Sequence, residues 1–187
     1  MAKHVDRPMI FPLSNPTRLH EAHPQDVSDW TSGKALIATG SPFSPVKHDG
    51  KEYDIAECNN STCFPGIGLG AVLSRTKLLS DAMLVSAVKA LAAQSPALKD
   101  PTQGLLPDVE NVREISVHIA KAVIKTAVEE GLAQEENIPT DDADLDEWVR
   151  EQMWYPVYRP LRRVDIKDAS RHAKGEMGIA GEAKKEL

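Results

Sequence analysis

Apolar residues follow two different rhythms along this chain. Near the amino end they form short unbroken runs bounded by proline, glycine and serine, whereas from residue 64 onward they recur at helical spacing. Met9-Ile10-Phe11, held between Pro8 and Pro12 and continued by Leu13, predicts a buried strand that enters a turn at Ser14-Asn15-Pro16-Thr17. His23-Pro24-Gln25-Asp26 predicts the opening of a short helix, since Pro24 has its φ preset and Asp26 meets the positive end of the helix dipole. That helix should stop by Thr31-Ser32-Gly33. A second doubly apolar run, Ala35-Leu36-Ile37-Ala38, leads into Thr39-Gly40-Ser41-Pro42. Strand, helix, strand with apolar runs of this kind is the pattern of a parallel sheet covered by helices.

Residues 40–63 are rich in Gly, Pro, Ser, Asp and Asn and read as a long surface excursion, with a small hairpin around 51–55 and a turn at Asp49-Gly50. From Phe64 the segment Phe64-Pro65-Gly66-Ile67-Gly68-Leu69-Gly70 becomes helical. Ser80 and Asp81 cap a stronger helix with Leu84, Ala87, Val88 and Leu91 as its apolar face. After a connector from 95 to 107, Asn111 opens the most regular helix, with Glu114 at the capping-box position and Val112, Ile115, Ile119, Val123 and Ala127 in one stripe. Gly131 is its expected cap. Acids then crowd residues 135–151 and predict a solvated face, with Trp148, Trp154, Tyr155 and Tyr158 as an aromatic anchor. Residues 165–187 are charged, small and weakly apolar, which predicts disorder.

Composition narrows the classes of function. The 187 residues carry 28 acids against 22 bases, a formal charge of -6, which argues against a nucleic-acid or anionic-membrane partner. No apolar run reaches the ~18–20 residues of a membrane span, and no secretory leader is expected in the first 30 residues. The two cysteines, Cys58 and Cys63, cannot form a disulfide framework, and their C-x4-C spacing has no second ligand pair for a metal. The histidines lack any H-E-x-x-H arrangement, and no G-x-S-x-G elbow occurs. Gly66, Gly68 and Gly70 are spaced G-x-G-x-G, unlike a dinucleotide fingerprint, so they are better read as a surface for close helix packing. Two polar clusters remain: Ser14-Asn15-Pro16-Thr17 after the first strand, and Asn59-Asn60 before the Phe64 helix. Ligands of open α/β sheets bind beyond the carboxyl ends of the strands, and a side-chain amide there can serve a carboxylate, hydroxyl or nicotinamide.

Taken together, Arg7-Pro8-Met9-Ile10-Phe11-Pro12-Leu13-Ser14-Asn15-Pro16-Thr17, Ala38-Thr39-Gly40-Ser41-Pro42-Phe43, Asn59-Asn60 with Phe64-Pro65-Gly66, and Asn111-Val112-Arg113-Glu114-Ile115-Ser116 resemble the C-terminal part of malic enzyme. The resemblance runs from about residue 3 to about residue 161. It implies an α/β fold: the distal part of a Rossmann-type parallel sheet with flanking helices (1–131), a helical and aromatic extension (132–161) and a disordered tail (162–187). It also implies oxidative decarboxylation of L-malate to pyruvate and CO2, with NAD or NADP and with Mg or Mn, in a homo-oligomer of either mitochondrion or cytoplasm. Asn15, Asn59 and Asn60 would bind substrate; Ser14, Asn15, Gly40 and Ser41 would line the cofactor. The family's catalytic Tyr and Lys, its metal ligands and its G-x-G-x-x-G loop have no counterpart in this sequence, so the resemblance implies no catalytic and no metal-binding residue here. The chain alone is therefore expected to be catalytically silent, with an exposed apolar sheet edge. An alternative implied role is that of a non-catalytic chain associating with full-length malic enzyme subunits.

Overall fold

The computed structural model describes residues 1–158. The chain divides into two compact units, Met1–Met153 and Trp154–Leu187, and the tail expected to be disordered lies outside the described residues. In chain order the elements are β1 (Met9–Ile10), α1 (Pro24–Trp30), β2 (Leu36–Thr39), β3 (Val46–His48), β4 (Lys51–Tyr53), β5 (Ala56–Glu57), α2 (Phe64–Leu73), α3 (Asp81–Ala92), α4 (Val112–Glu129) and α5 (Asp142–Gln152). β1, β2 and β5 make a parallel sheet in the order β1-β2-β5, pairing Ile10 with Ile37 and Ala38 with Ala56. The first strand is shorter than its apolar run. Pro12 has no N–H for a ladder, although its carbonyl still accepts the Gly40 N–H at 3.0 Å.

α1 begins as the sequence predicts, with His23 Nδ1 accepting the Gln25 N–H and Pro24 in the first turn. It ends where Ser32 and Gly33 adopt φ of 52° and 70°. The β3–β4 hairpin turns on Asp49-Gly50, both at positive φ, the conformation a tight two-residue hairpin requires. Gln25 ties this hairpin to α1: its Oε1 accepts the Lys47 N–H and its Nε2 donates to the Lys47 carbonyl. The excursion also contains β5, which the sequence pattern did not show.

α4 is buried on two faces. Ile115, Ile119, Val123 and Ala127 pack with Met83, Ala87 and Leu91 of α3, while Val117, Ala120 and Ile124 pack with Leu145 and Val149 of α5. The buried face of α3 keeps Ala87 and Leu91 of the predicted stripe, but Leu84 and Val88 are exposed and Met83 takes an inner place. α2 approaches α4 closely because it lacks side chains at two points. A Cβ on Gly66 would come within 2.6 Å of Ile119 Cβ, and one on Gly70 within 2.7 Å of Val123 Cβ, whereas a Cβ on Gly68 would meet nothing. α4 ends in a Schellman cap: Leu132 N–H donates to Ala127 O, Gly131 N–H donates to Val128 O, and Gly131 has φ 67°.

The acidic run is paired at two points, Asp142 and Asp146, while Glu136, Asp141, Asp144, Glu147 and Glu151 are exposed, as a solvated face requires. Lys121, nearly buried on α4, donates to Asp142 at 2.9 Å and to Asp146 at 3.1 Å. Arg150 makes a two-pronged contact with Glu114 at 2.6 and 2.8 Å, which takes Glu114 away from the predicted capping box. Asp141 caps α5 by accepting the Ala143 and Asp144 N–H groups. Trp148 and Met153 pack partly buried against the α4–α5 cluster. Of the expected aromatic anchor, Trp148 does this, while Trp154, Tyr155 and Tyr158 belong to the second unit. Hydrogen bonds from Lys125 and then Lys121 hold the Asp142 carboxyl down to about 2. Asp146 and Glu114 are lowered chiefly by Arg150.

Two predictions follow from this packing. Gly70→Ala overpacks the α2–α4 seam and should cost about 1–3 kcal/mol in urea unfolding, whereas Gly68→Ala should stabilise by up to about 1 kcal/mol because it adds only helix propensity. Acid should release α5. Carboxylates whose folded-state values are depressed contribute stability above their ordinary range near 4 and lose it as pH falls toward about 2. The Trp148 indole resonance, followed from pH 5 to pH 2, should shift across that window, and Asp142→Asn should narrow the shift.

Candidate functional site

Because β1, β2 and β5 run in parallel side by side, the loops that leave their carboxyl ends share one edge of the sheet. The loop after β1 carries Ser14 and Asn15, the loop after β2 carries Gly40 and Ser41, and the turn after β5 carries Asn59 and Asn60. The structure therefore brings all the sequence-predicted site residues to this edge. The missed strand β5 is what delivers the third pair. Cys58 N–H donates to the Thr39 carbonyl at 2.7 Å, extending the β2–β5 pairing to the residue before Asn59.

The first two loops are locked together. A Cβ on Gly40 would lie 2.1 Å from the Leu13 carbonyl oxygen, so only glycine permits this backbone contact. Thr17 Oγ1 donates to Ser41 Oγ at 3.0 Å, and Thr39 Oγ1 donates to the Ser41 carbonyl at 2.9 Å. The rings of His20 and His23 each stand edge-on to Phe43, with centroids 5.3 Å from it, joining the 17–23 segment to the residues after Ser41. Ser14 donates its N–H and its hydroxyl to Glu21. The Ser14 hydroxyl is also the main reason the Glu21 carboxyl sits below its ordinary value.

The asparagines differ in freedom. Asn59 is held: its Oδ1 accepts the Ser61 N–H at 3.0 Å, capping the 3-10 turn Asn60–Thr62, and its Nδ2 donates to Glu57 at 3.3 Å. One amide N–H remains to it. Asn15 and Asn60 are exposed. Cys58 and Cys63 bracket the Asn59 turn, and burial pushes both thiols up, which keeps them protonated and weakly nucleophilic. Of the residues that set these loops, Glu21 and Glu57 escaped the sequence reading, and Thr17 figured there only as a member of the polar cluster. Their partners lie two to twenty-four positions away with no periodic signal. Among the described residues no group of three or more His, Cys, Asp or Glu side chains could hold a metal ion, and no helix is long and apolar enough to cross a membrane.

A parallel sheet with polar loops gathered at its carboxyl edge and helices packed around it defines the α/β class of dinucleotide-binding domains. The chain belongs to the malic enzyme family: the family model described as "Malic enzyme, NAD binding domain" matches residues 1–128. It is 52% identical over 161 residues to a protein of Schizosaccharomyces pombe named NAD-dependent malic enzyme, covering 86% of this chain and 28% of that one. A protein of the same name from Aeromonas salmonicida is 50% identical over 166 residues, covering 89% and 29%. Among solved structures, the malic enzyme of Pyrococcus horikoshii matches with a TM-score of 0.57 at 25% identity, over 76% of this chain and 28% of that chain. The Entamoeba histolytica malic enzyme shares the fold, with a TM-score of 0.59 at 22% identity, over 88% and 28%. The chain thus spans less than a third of the length of the relatives it matches.

The Gly40 contact yields a direct test. Gly40→Ala must separate the β1 and β2 loops, so it should destabilise by at least about 1–3 kcal/mol. Hydrogen exchange at the residue-40 amide, protected by the Pro12 carbonyl in the parent, should accelerate in the variant.

Proposed function

We propose that this chain is the part of a malic enzyme that presents the substrate and the nicotinamide to each other, in the oxidation of L-malate by NAD and its decarboxylation to pyruvate and CO2. The supporting observation is the convergence of the three polar loops at the carboxyl edge of β1, β2 and β5. In this reading Asn15, Asn59 and Asn60 bind malate. An amide N–H can donate to a carboxylate or hydroxyl without adding a charge that would disturb the anionic substrate's chemistry. Asn59 arrives with its orientation set by Ser61 and Glu57, which lowers the ordering cost of capture. Asn15 stands free for the same task.

The residues fit one half of the dinucleotide. Ser14, Asn15, Gly40 and Ser41 would line the nicotinamide side, where NAD, when bound, accepts a hydride from malate. Gly40 allows the backbone of the two loops to close, and Ser41, buried and holding the Thr17 hydroxyl, gives the loop a fixed floor. NADP would meet the same four residues. The described residues do not fit a Mg or Mn site. The acid, the base and the metal ligands of the reaction are assigned to the remaining two thirds of the family's length. The unit of residues 1–131 is read as belonging to the nucleotide-binding domain and 132–161 as its helical extension. The working enzyme is read as a homo-oligomer, mitochondrial or cytoplasmic.

The experiment has two arms. The 187-residue chain alone, with malate, NAD and Mn, should form no NADH. A chimera in which this chain replaces the matching segment of the S. pombe protein should form it. Asn15→Ala in that chimera should lower kcat/KM for malate about 10- to 100-fold, the loss of a hydrogen bond to a charged group. Turnover by the isolated chain, or an Asn15→Ala chimera as active as its parent, would overturn the reading.

A further inference from the structure

Ser14 stands directly before Asn15, and both of its hydrogen-bond donors are taken by a single side chain. The Glu21 carboxylate accepts the Ser14 N–H at 3.1 Å on one oxygen and the Ser14 O–H at 2.7 Å on the other. An ionised carboxylate suits this pair because it accepts at both oxygens and donates at neither. A neutral amide in its place would offer one acceptor and set an N–H against the second donor. On the other side of Asn15 the chain is fixed as well. Leu19 N–H donates to the Pro16 carbonyl at 2.7 Å, and Thr17 Oγ1 donates to Ser41 Oγ. Asn15 is therefore an exposed residue on a backbone tethered at both flanks, and its own side chain makes no hydrogen bond among the described residues.

An untethered polar side chain on a tethered backbone is the arrangement of a preorganised ligand contact. We propose that Glu21 is a positioning residue: by holding both donors of Ser14 it fixes the loop that presents the Asn15 amide at the carboxyl edge of the sheet. The proposal rests on the reading of Asn15 as a malate-binding residue. It also gives the Ser14 hydroxyl a defined part. Its proton is committed to Glu21, so toward a ligand Ser14 acts as an acceptor.

The test uses Glu21→Gln, which keeps the size and removes the second acceptor. In the full 187-residue chain, hydrogen exchange at the Ser14 amide should accelerate at least tenfold, while the exchange of the α4 amides stays as in the parent. In the S. pombe chimera the same variant should lower kcat with malate by about tenfold, the scale expected when a contact is misplaced by a fraction of an ångström. The melting temperature should not move. Ser14→Ala, which removes one of the two bonds, should fall between Glu21→Gln and the parent. If Asn15→Ala is impaired and Glu21→Gln behaves as the parent, the positioning role is overturned and the reading of Asn15 stands. If Asn15→Ala is fully active, that reading falls and the positioning role with it. A Glu21→Gln chimera that loses melting temperature alongside kcat would show a general structural role and overturn the proposal.

Discussion

The contact between α2 and α4 organises the molecule. Two glycines one helical turn apart let the α2 backbone lie against Ile119 and Val123, with the carbonyls of Ser116 and Ala120 close by. Interiors are packed to crystal density, so such a seam admits no added atom without a shift of one helix. α4 in turn carries α3 on one face and α5 on another. Because α2 begins immediately after the Asn60–Thr62 turn, anchoring α2 also anchors the segment that holds Asn59 and Asn60. Cys63, between turn and helix, packs against the same core cluster. The helical core thus sets the position of one third of the sheet edge from below.

The other two thirds are set by the loops themselves. Gly40 against Leu13, Thr17 with Ser41, and the His20–Phe43–His23 ring contacts make the β1 and β2 loops a single body. The two devices differ in kind. One is apolar packing transmitted along a helix; the other is a local net of hydrogen bonds and close backbone contact. They meet where Cys58 N–H reaches the Thr39 carbonyl. The edge therefore combines a rigid floor with side chains left free to meet a ligand, which is the condition for tight and oriented binding.

Much of this was legible in the sequence, and the exceptions share a cause. α1, α2, α4 and the Asp49-Gly50 turn could be read because their signals are local: a proline in the first turn, an apolar stripe, two residues suited to positive φ. The hairpin around that turn pairs Val46 with Tyr53 and is not the one expected at 51–55. β5 escaped because Ala56–Glu57 is too short to show alternation. α3 was half legible: Ala87 and Leu91 lie inside as expected, but Leu84 and Val88 compete with Met83 for burial, and only the position of α4 decides between them. Within the acidic stretch the pairing of Asp142 and Asp146 was not legible, because Lys121 and Lys125, like Arg150's contact Glu114, are brought close only by the fold. At the candidate site the asparagines were visible as residue types in a known neighbourhood. Their holders, Glu21 and Glu57, were not, since nothing in the spacing marks a surface acid as a clamp.

The β3–β4 hairpin carries one more consequence. Its strand β3 is fastened to α1 at the middle pair by the two Gln25–Lys47 hydrogen bonds, yet its tip, Asp49-Gly50, is exposed, and a Cβ on Gly50 would meet nothing. The tip is thus a permissive point of the chain, where an affinity tag or a fluorophore-bearing insert can be carried with the sheet edge undisturbed.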